Sequence, residues 1–304
     1  MKLLAEGTIN TFCQAIGHIG YPSYIIKGYT KSIMIDAGIN LLALKYYSDL
    51  LSLFGEPIAL DYVAITHSHY DHLGAIPYLL KKIPNVSVVG AKRIQDLLSK
   101  QTVIDFMTHL SDIQKPLFAD IVNNEDVSLS YFDITCPVKE GDFIDLGDIS
   151  CVVYEVPGHT RDSLAYFFPE IGMLCAGEAV GVPQGINGEI VQVEFLSSYD
   201  DYCKSLEKML SLKPQTLCMA HGFVYTDDDV TKFLELSITS TKQYKELLLQ
   251  YLDRVNGDIE KAIELITFEE YDKKGLIYQE RNAYISNLSA QVKLVAKEHN
   301  YIKG

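Results

Sequence analysis

Residues 65–74 read ITHSHYDHLG, and the fold turns on this stretch. It follows an apolar run, Tyr62–Ala64, that predicts a short strand. His67 and His69 are two residues apart, so an extended chain projects both imidazoles to the same side. Asp71 and His72 follow where the chain must turn into a helix. Four titratable side chains packed at the buried end of a strand are costly unless a cation neutralises and coordinates them. The spacing therefore points to metal, with one loop supplying ligands to two neighbouring ions.

Working outward, strand-like runs alternate with helical ones: SYIIKG, KSIMIDAG, an amphipathic stretch from Leu41 to Phe54, and VSVVGA. A helix is predicted over Gly74 to Lys82, with Pro77 in its first turn, and helical sequence runs from Ala91 toward Asp112. Residues 101–135, with Phe106, Met107, Leu117 and Phe118 among polar neighbours, break the rhythm and read as an insertion over a pocket. The strand pattern returns from Val138 through VKEGDFIDLGD, SCVVYEVPGHT, SLAYFFPEIG and GMLCAGEAVG. A Gly-containing loop from Val182 to Val191, a helix from Tyr199 to Leu212 and a last strand, TLCMAHG, follow. The expected class is α/β, two sheet layers from two similar halves over 1–226, with a helical C-terminal appendage over 227–304. In that appendage Asp227 to Asp229 cap a helix to about Leu252, and further helices cover Ile259 to Ile266 and Ala283 to Glu298.

Two more histidines sit at strand ends, His159 in VPGHT and His221 in MAHG, and an acid, Glu178, follows the apolar run of MLCAGE. His18, His109 and His299 are isolated and read as ordinary residues. The six cysteines form no CxxC pair and read as free thiols of a reducing compartment. A net charge of −14 argues against a phosphate-tracking surface, so nucleic acid is not an expected partner. No run of about 18 apolar residues occurs, so no membrane association is expected, and the expected location is cytoplasmic. Lys81, Lys82, Lys92 and Arg93 read first as a solvated helix face and second as contacts for coenzyme A phosphates.

These segments, in this order, resemble the metallo-β-lactamase fold hydrolases, whose αββα sandwich holds one or two metals in loops at one edge. The resemblance covers residues 1–225 and rests on Asp36, His67, His69, Asp71, His72, His159, Glu178 and His221. It implies one metal on His67, His69 and His159 and a second on Asp71, His72 and His221. Asp36 is similar to the acid that orients the family's ligand loop. Glu178 stands where the family usually has a bridging Asp. One methylene longer, it either still bridges or binds one metal and leaves a mononuclear site.

ITHSHYDHLGAIPYLLKKIPNVSVV, GDFIDLGD, CAGEAVG and SSYDDYCKSLEKMLSL are further similar to the family's quinolone-signal-response thioesterases, with the weakest likeness at 101–135 and 182–195. The implied cofactors are two divalent ions, zinc or iron, with manganese as a third choice. The implied activity is hydrolysis of an ester-type bond, a thioester first, with Asp71 both ligand and proton acceptor. A phosphodiesterase or lactonase, an iron-containing redox protein and a non-enzymatic metal-retaining effector are the alternatives. The redox branch of the family has Glu where His69 stands. Phe106, Met107, Phe223 and Tyr225 are the candidate pocket residues, with a structural role for the last two equally open. Expected partners are a small-molecule substrate, an acyl-coenzyme A among them, and a second copy of the chain as a homodimer.

Overall fold

The computed structural model describes residues 1–118, 120–121, 125–299 and 301. The chain divides into two compact units. The first comprises Met1–Glu155, Asp162–Gly177 and Pro214–Asp229; the second comprises Val156–Arg161, Glu178–Lys213 and Val230–Gly304.

Two seven-stranded sheets build the first unit among the described residues. One orders Gly7–Thr8, Cys13–His18, Tyr21–Lys27, Ser32–Ile35, Tyr62–Ala64, Ser87–Gly90 and Cys136–Pro137. Its first three pairings are antiparallel and its last three parallel, the parallel register setting Ile33 opposite Tyr62 and Tyr62 opposite Ser87. The other orders Lys2–Leu4, Phe223–Thr226, Thr216–Cys218, Met173–Cys175, Leu164–Phe168, Ser150–Glu155 and Phe143–Asp145.

Alternation along the strands assigns each side chain to a layer. Ile26, Ile33 and Ile35 of the first sheet pack with Cys151, Val153, Tyr166 and Phe168 of the second. Ile25, Met34, Val63 and Val88 face the other way, against Tyr46 and Leu50 of helix Ala43–Phe54 and Leu79 of helix Ile76–Lys82. The central strands are thus buried on both faces, which is why SYIIKG and KSIMIDAG read as unbroken apolar runs. The α/β architecture and the C-terminal helices are those the sequence predicts.

Two readings, those of 182–191 and of the last strand, are corrected. Within 101–135, helix Gln101–Gln114 carries on the helical sequence read toward Asp112, and its Ile104, Met107, Ser111 and Gln114 recur at helical spacing and are buried. Residues 119 and 122–124 of that stretch lie outside the described residues. The loop at 182–191 contains an antiparallel hairpin, Val182–Gln184 with Ile190–Gln192. A strand, Phe223–Thr226, follows the one read as last and pairs with both Lys2–Leu4 and Thr216–Cys218.

The second unit holds this hairpin and the later helices. Helix Tyr199–Ser211 is capped by Ser198, whose hydroxyl accepts the Asp201 amide. Asp258 caps Ile259–Ile266 and Glu280 caps Arg281–Glu298 in the same manner. The long helix Asp228–Arg254 is tied by the Ser237 hydroxyl to the Val180 carbonyl, and Gln291 of the last helix donates to the Val193 carbonyl. All six cysteines are free. Among the described residues no helix is long and apolar enough to cross a membrane.

Candidate metal centre

Strand Tyr62–Ala64 ends in the loop that carries His67, and His69 stands in extended conformation at the start of the short helix Tyr70–Leu73. That helix turns Asp71 and His72 back beside the loop, so the ring centroids of His67 and His69 lie 4.6 Å apart and those of His67 and His72 4.0 Å. Asp36 fixes the arrangement from the neighbouring strand end. Its carboxylate accepts the Thr66 amide at 2.8 Å, the Thr66 hydroxyl at 2.8 Å and His72 Nδ1 at 2.8 Å. Asp36 adopts φ +57°, a left-handed conformation that Asp tolerates at a cost of roughly 1–3 kcal/mol.

These contacts determine the tautomers. A carboxylate only accepts, so His72 carries its proton on Nδ1. The Thr66 hydroxyl spends its one hydrogen on Asp36 and therefore accepts from His67 Nδ1 at 3.1 Å. His159 Nδ1 donates to the Glu194 carbonyl at 2.7 Å, and His221 Nδ1 to the Gly20 carbonyl at 2.5 Å. In all four, Nε2 is the nitrogen left to face a metal.

The Nε2 of His159 lies 2.8 Å from Glu178 Oε2. Two lone-pair atoms at that separation repel unless a proton or a cation accompanies them. Asp71 Oδ2 lies 3.7 Å from His221 Nε2 and 3.9 Å from His72 Nε2. Ligand atoms of His67, His69, His159 and Glu178 all fall within 4.8 Å of one another, as do those of Asp71, His72, His221 and Glu178. Glu178 belongs to both sets. Imidazole and carboxylate in this proportion are a donor set for divalent zinc, iron or manganese, so the residues fit the group.

Two glycines permit the approach. A Cβ on Gly177, at φ +54°, would lie 2.8 Å from the Thr66 hydroxyl, and one on Gly158, at φ +130°, would lie 2.3 Å from the Tyr202 backbone.

The residues expected as ligands fall into these two groups, and Asp36 is hydrogen-bonded to His72. Of the pocket candidates, Phe223 and Tyr225 have ring centroids 6.4 Å apart. Phe106 faces outward on its helix at 56% exposure, and Met107 is buried in the helix-side core. Phe223 lies in a strand with the Lys2 ammonium 4.7 Å from its ring centroid, and Tyr225 is buried two residues on. Lys81 and Lys82 pair with Asp126 and Glu125. Sequence reasoning missed Tyr21, which meets the His221 ring edge-on at 5.7 Å and also packs edge-on against Phe118. It also missed the Gly20 and Glu194 carbonyls, since a backbone acceptor leaves no residue-type signal. Thr66, next to the first ligand, was readable.

The Metallo-beta-lactamase superfamily model matches residues 19–221. The chain belongs to that superfamily. Within it, the chain is 28% identical over 229 residues to a hydroxyacylglutathione hydrolase of Aliivibrio fischeri (strain ATCC 700601 / ES114), covering 67% of this chain and 73% of the relative. It is 25% identical over 199 residues to the acyl-coenzyme A thioesterase MBLAC2 of Bos taurus, covering 62% and 67%. A metallo-beta-lactamase family protein from Thermus thermophilus superposes with a TM-score of 0.63 at 16% identity, covering 98% of this chain and 93% of that one, a likeness of fold.

Proposed function

We propose that the chain is a metal-dependent hydrolase whose substrate is an acyl thioester. The observation that carries this reading is the pair of ligand sets sharing Glu178 within 4.8 Å. His67, His69 and His159 would hold one ion and Asp71, His72 and His221 the other, with Glu178 between them. Divalent ions held there supply a Lewis acid for the carbonyl oxygen and acidify the attacking water.

The remaining work falls to the chain. Asp36 and Thr66 hold the imidazoles of His72 and His67 in the ligating tautomer, as the Glu194 and Gly20 carbonyls do for His159 and His221. Asp71 accepts a proton from the water as the C–O bond forms and returns it to the sulfur as the C–S bond breaks, giving a carboxylic acid and a thiol. Two superfamily relatives named for thioester substrates support this choice of bond.

The test is a substrate panel on protein of measured metal content. Hydrolysis of acyl-coenzyme A or acylglutathione at least about tenfold faster in kcat/KM than a matched phosphodiester is the expected result. Rapid phosphodiester cleavage with inert thioesters would overturn it, as would less than one metal per chain after gentle purification.

A further inference from the structure

Within the second unit, hairpin strand Ile190–Gln192, helix Asp228–Arg254, the 270–277 segment and helix Arg281–Glu298 line a cleft of about 180 Å³ that opens to solvent. Its wall is mainly apolar, including Val191, Leu247, Ile277 and Leu288 with the rings of Tyr244 and Tyr284. None of the seven proposed metal ligands lines it. Glu194 does, and is 1% exposed. Its two carboxylate oxygens accept amide hydrogens from Gln192 and, at 2.9 Å, from Asn287.

The wall's charge selects among ligands. It carries two carboxylates, Glu194 and Glu270, against one ammonium, Lys274, which is already paired with Glu270 one helical turn away. An anion is therefore disfavoured and a cationic N–H donor favoured. Tyrosine faces favour a cation too. An apolar cavity of roughly 150 Å³ accepts benzene, so the volume suits one ring and a short arm. Few convergent polar groups in an apolar wall are the usual make-up of a small-molecule site.

Glu194 also touches the metal centre. Its carbonyl accepts His159 Nδ1 at 2.7 Å, while His159 Nε2 points the opposite way toward Glu178. The two nitrogens lie on opposite sides of the imidazole, so Glu194 stands behind the ligand. We propose that this cleft binds a small cationic amine bearing a single ring, and that its occupancy is felt at His159 through the Glu194 carbonyl. The coupling rests on the ligand role proposed above for His159; the binding step does not.

Benzylamine is the probe, with benzoate as the anionic control, titrated into the metal-loaded protein by calorimetry. Zinc affinity is then measured by chelator competition with and without benzylamine. The expected result is benzylamine binding with Kd of about 1 mM or tighter. Benzoate should bind at least about tenfold more weakly. Zinc affinity should shift by roughly tenfold on saturation, the scale of changes behind a ligating histidine. Ile277→Trp, at a half-buried wall position, should fill the cleft and abolish binding. Leu276→Trp, at a more exposed wall position, replaces it if the first variant fails to fold. Absent binding, equal binding of benzoate, or binding that survives a folded Trp variant would overturn the site. An unchanged zinc affinity at saturation would overturn the coupling, whatever substrate the enzyme proves to cleave.

Discussion

The carboxylate of Asp36 and the imidazole of His72 meet at 2.8 Å, 36 residues apart in sequence, and the same carboxylate receives both the amide and the hydroxyl of Thr66. One acid thereby orients the histidine and the loop that precedes it. Asp36→Asn keeps the shape and the left-handed backbone but replaces an acceptor with a donor. Metal affinity should fall about 10- to 100-fold, with activity following. Chelator competition measures it, and an affinity equal to that of the parent would remove Asp36 from the role assigned.

Glu178 has a carboxylate oxygen within 4.8 Å of the candidate ligand atoms of both groups. Glu178→Ala should lose about one metal equivalent and lower kcat about 100-fold or more, whereas Glu178→Asp should retain metal. Elemental analysis with steady-state kinetics separates these outcomes. Parental metal content and turnover in the Ala variant would count against a ligand.

Imidazoles bind metal only when deprotonated, so bound metal should be released in mild acid and by chelators. Because bound metal stabilises the folded chain by mass action, the melting temperature should fall with it and recover on adding zinc at neutral pH. A melting temperature indifferent to chelator would argue that the centre contributes nothing to folding.

Arg254 makes two hydrogen bonds to the Glu269 carboxylate, at 3.0 and 2.9 Å, and with the Tyr251 hydroxyl it holds that carboxyl down to about 2. A depressed carboxyl contributes stability at neutral pH that is lost as pH falls from its ordinary range toward the folded value. Glu269→Gln should therefore melt below the parent at pH 7, and the gap should narrow once pH falls below the ordinary carboxylate range and close only as pH falls through about 2. The pair is exposed to solvent, so the gap should be small and should shrink in salt. A gap that widened in acid would reverse the assignment.

Gly158 lets helix Tyr199–Ser211 close on the loop before His159, and its carbonyl accepts the amides of Leu196, Ser197 and Ser198. Gly158→Ala brings both left-sided backbone strain and a clash with main chain, which has no side-chain escape. A loss of about 2 kcal/mol or more in urea unfolding is expected.

The clustering of His67, His69 and Asp71 was legible because metal chemistry demands particular residue types at particular spacings. The two-faced burial of Ile25 and Ile26 was legible as an apolar run. Helix Gln101–Gln114 was legible as helical sequence toward Asp112 but not as a buried face, because that face includes Ser111 and Gln114, polar residues that break the apolar stripe. Ser111 instead donates to Asn40, whose own amide reaches the Val127 carbonyl, a polar thread through the core that no periodicity announces. Phe223–Thr226 was missed although it forms a hairpin with its neighbour Thr216–Cys218, and its second partner, Lys2–Leu4, is distant in sequence.

His159 and His221 lean on main-chain carbonyls, those of Glu194 and Gly20, and every amino acid supplies one. Replacing either residue changes a side chain yet leaves the acceptor in place. The orientation of these two imidazoles is therefore buffered against point substitution and vulnerable to changes of length. Deleting one residue from the Gly185–Gly188 turn, between hairpin strands that lead into Glu194, should disturb His159 more than many exchanges of side chain along the same loop.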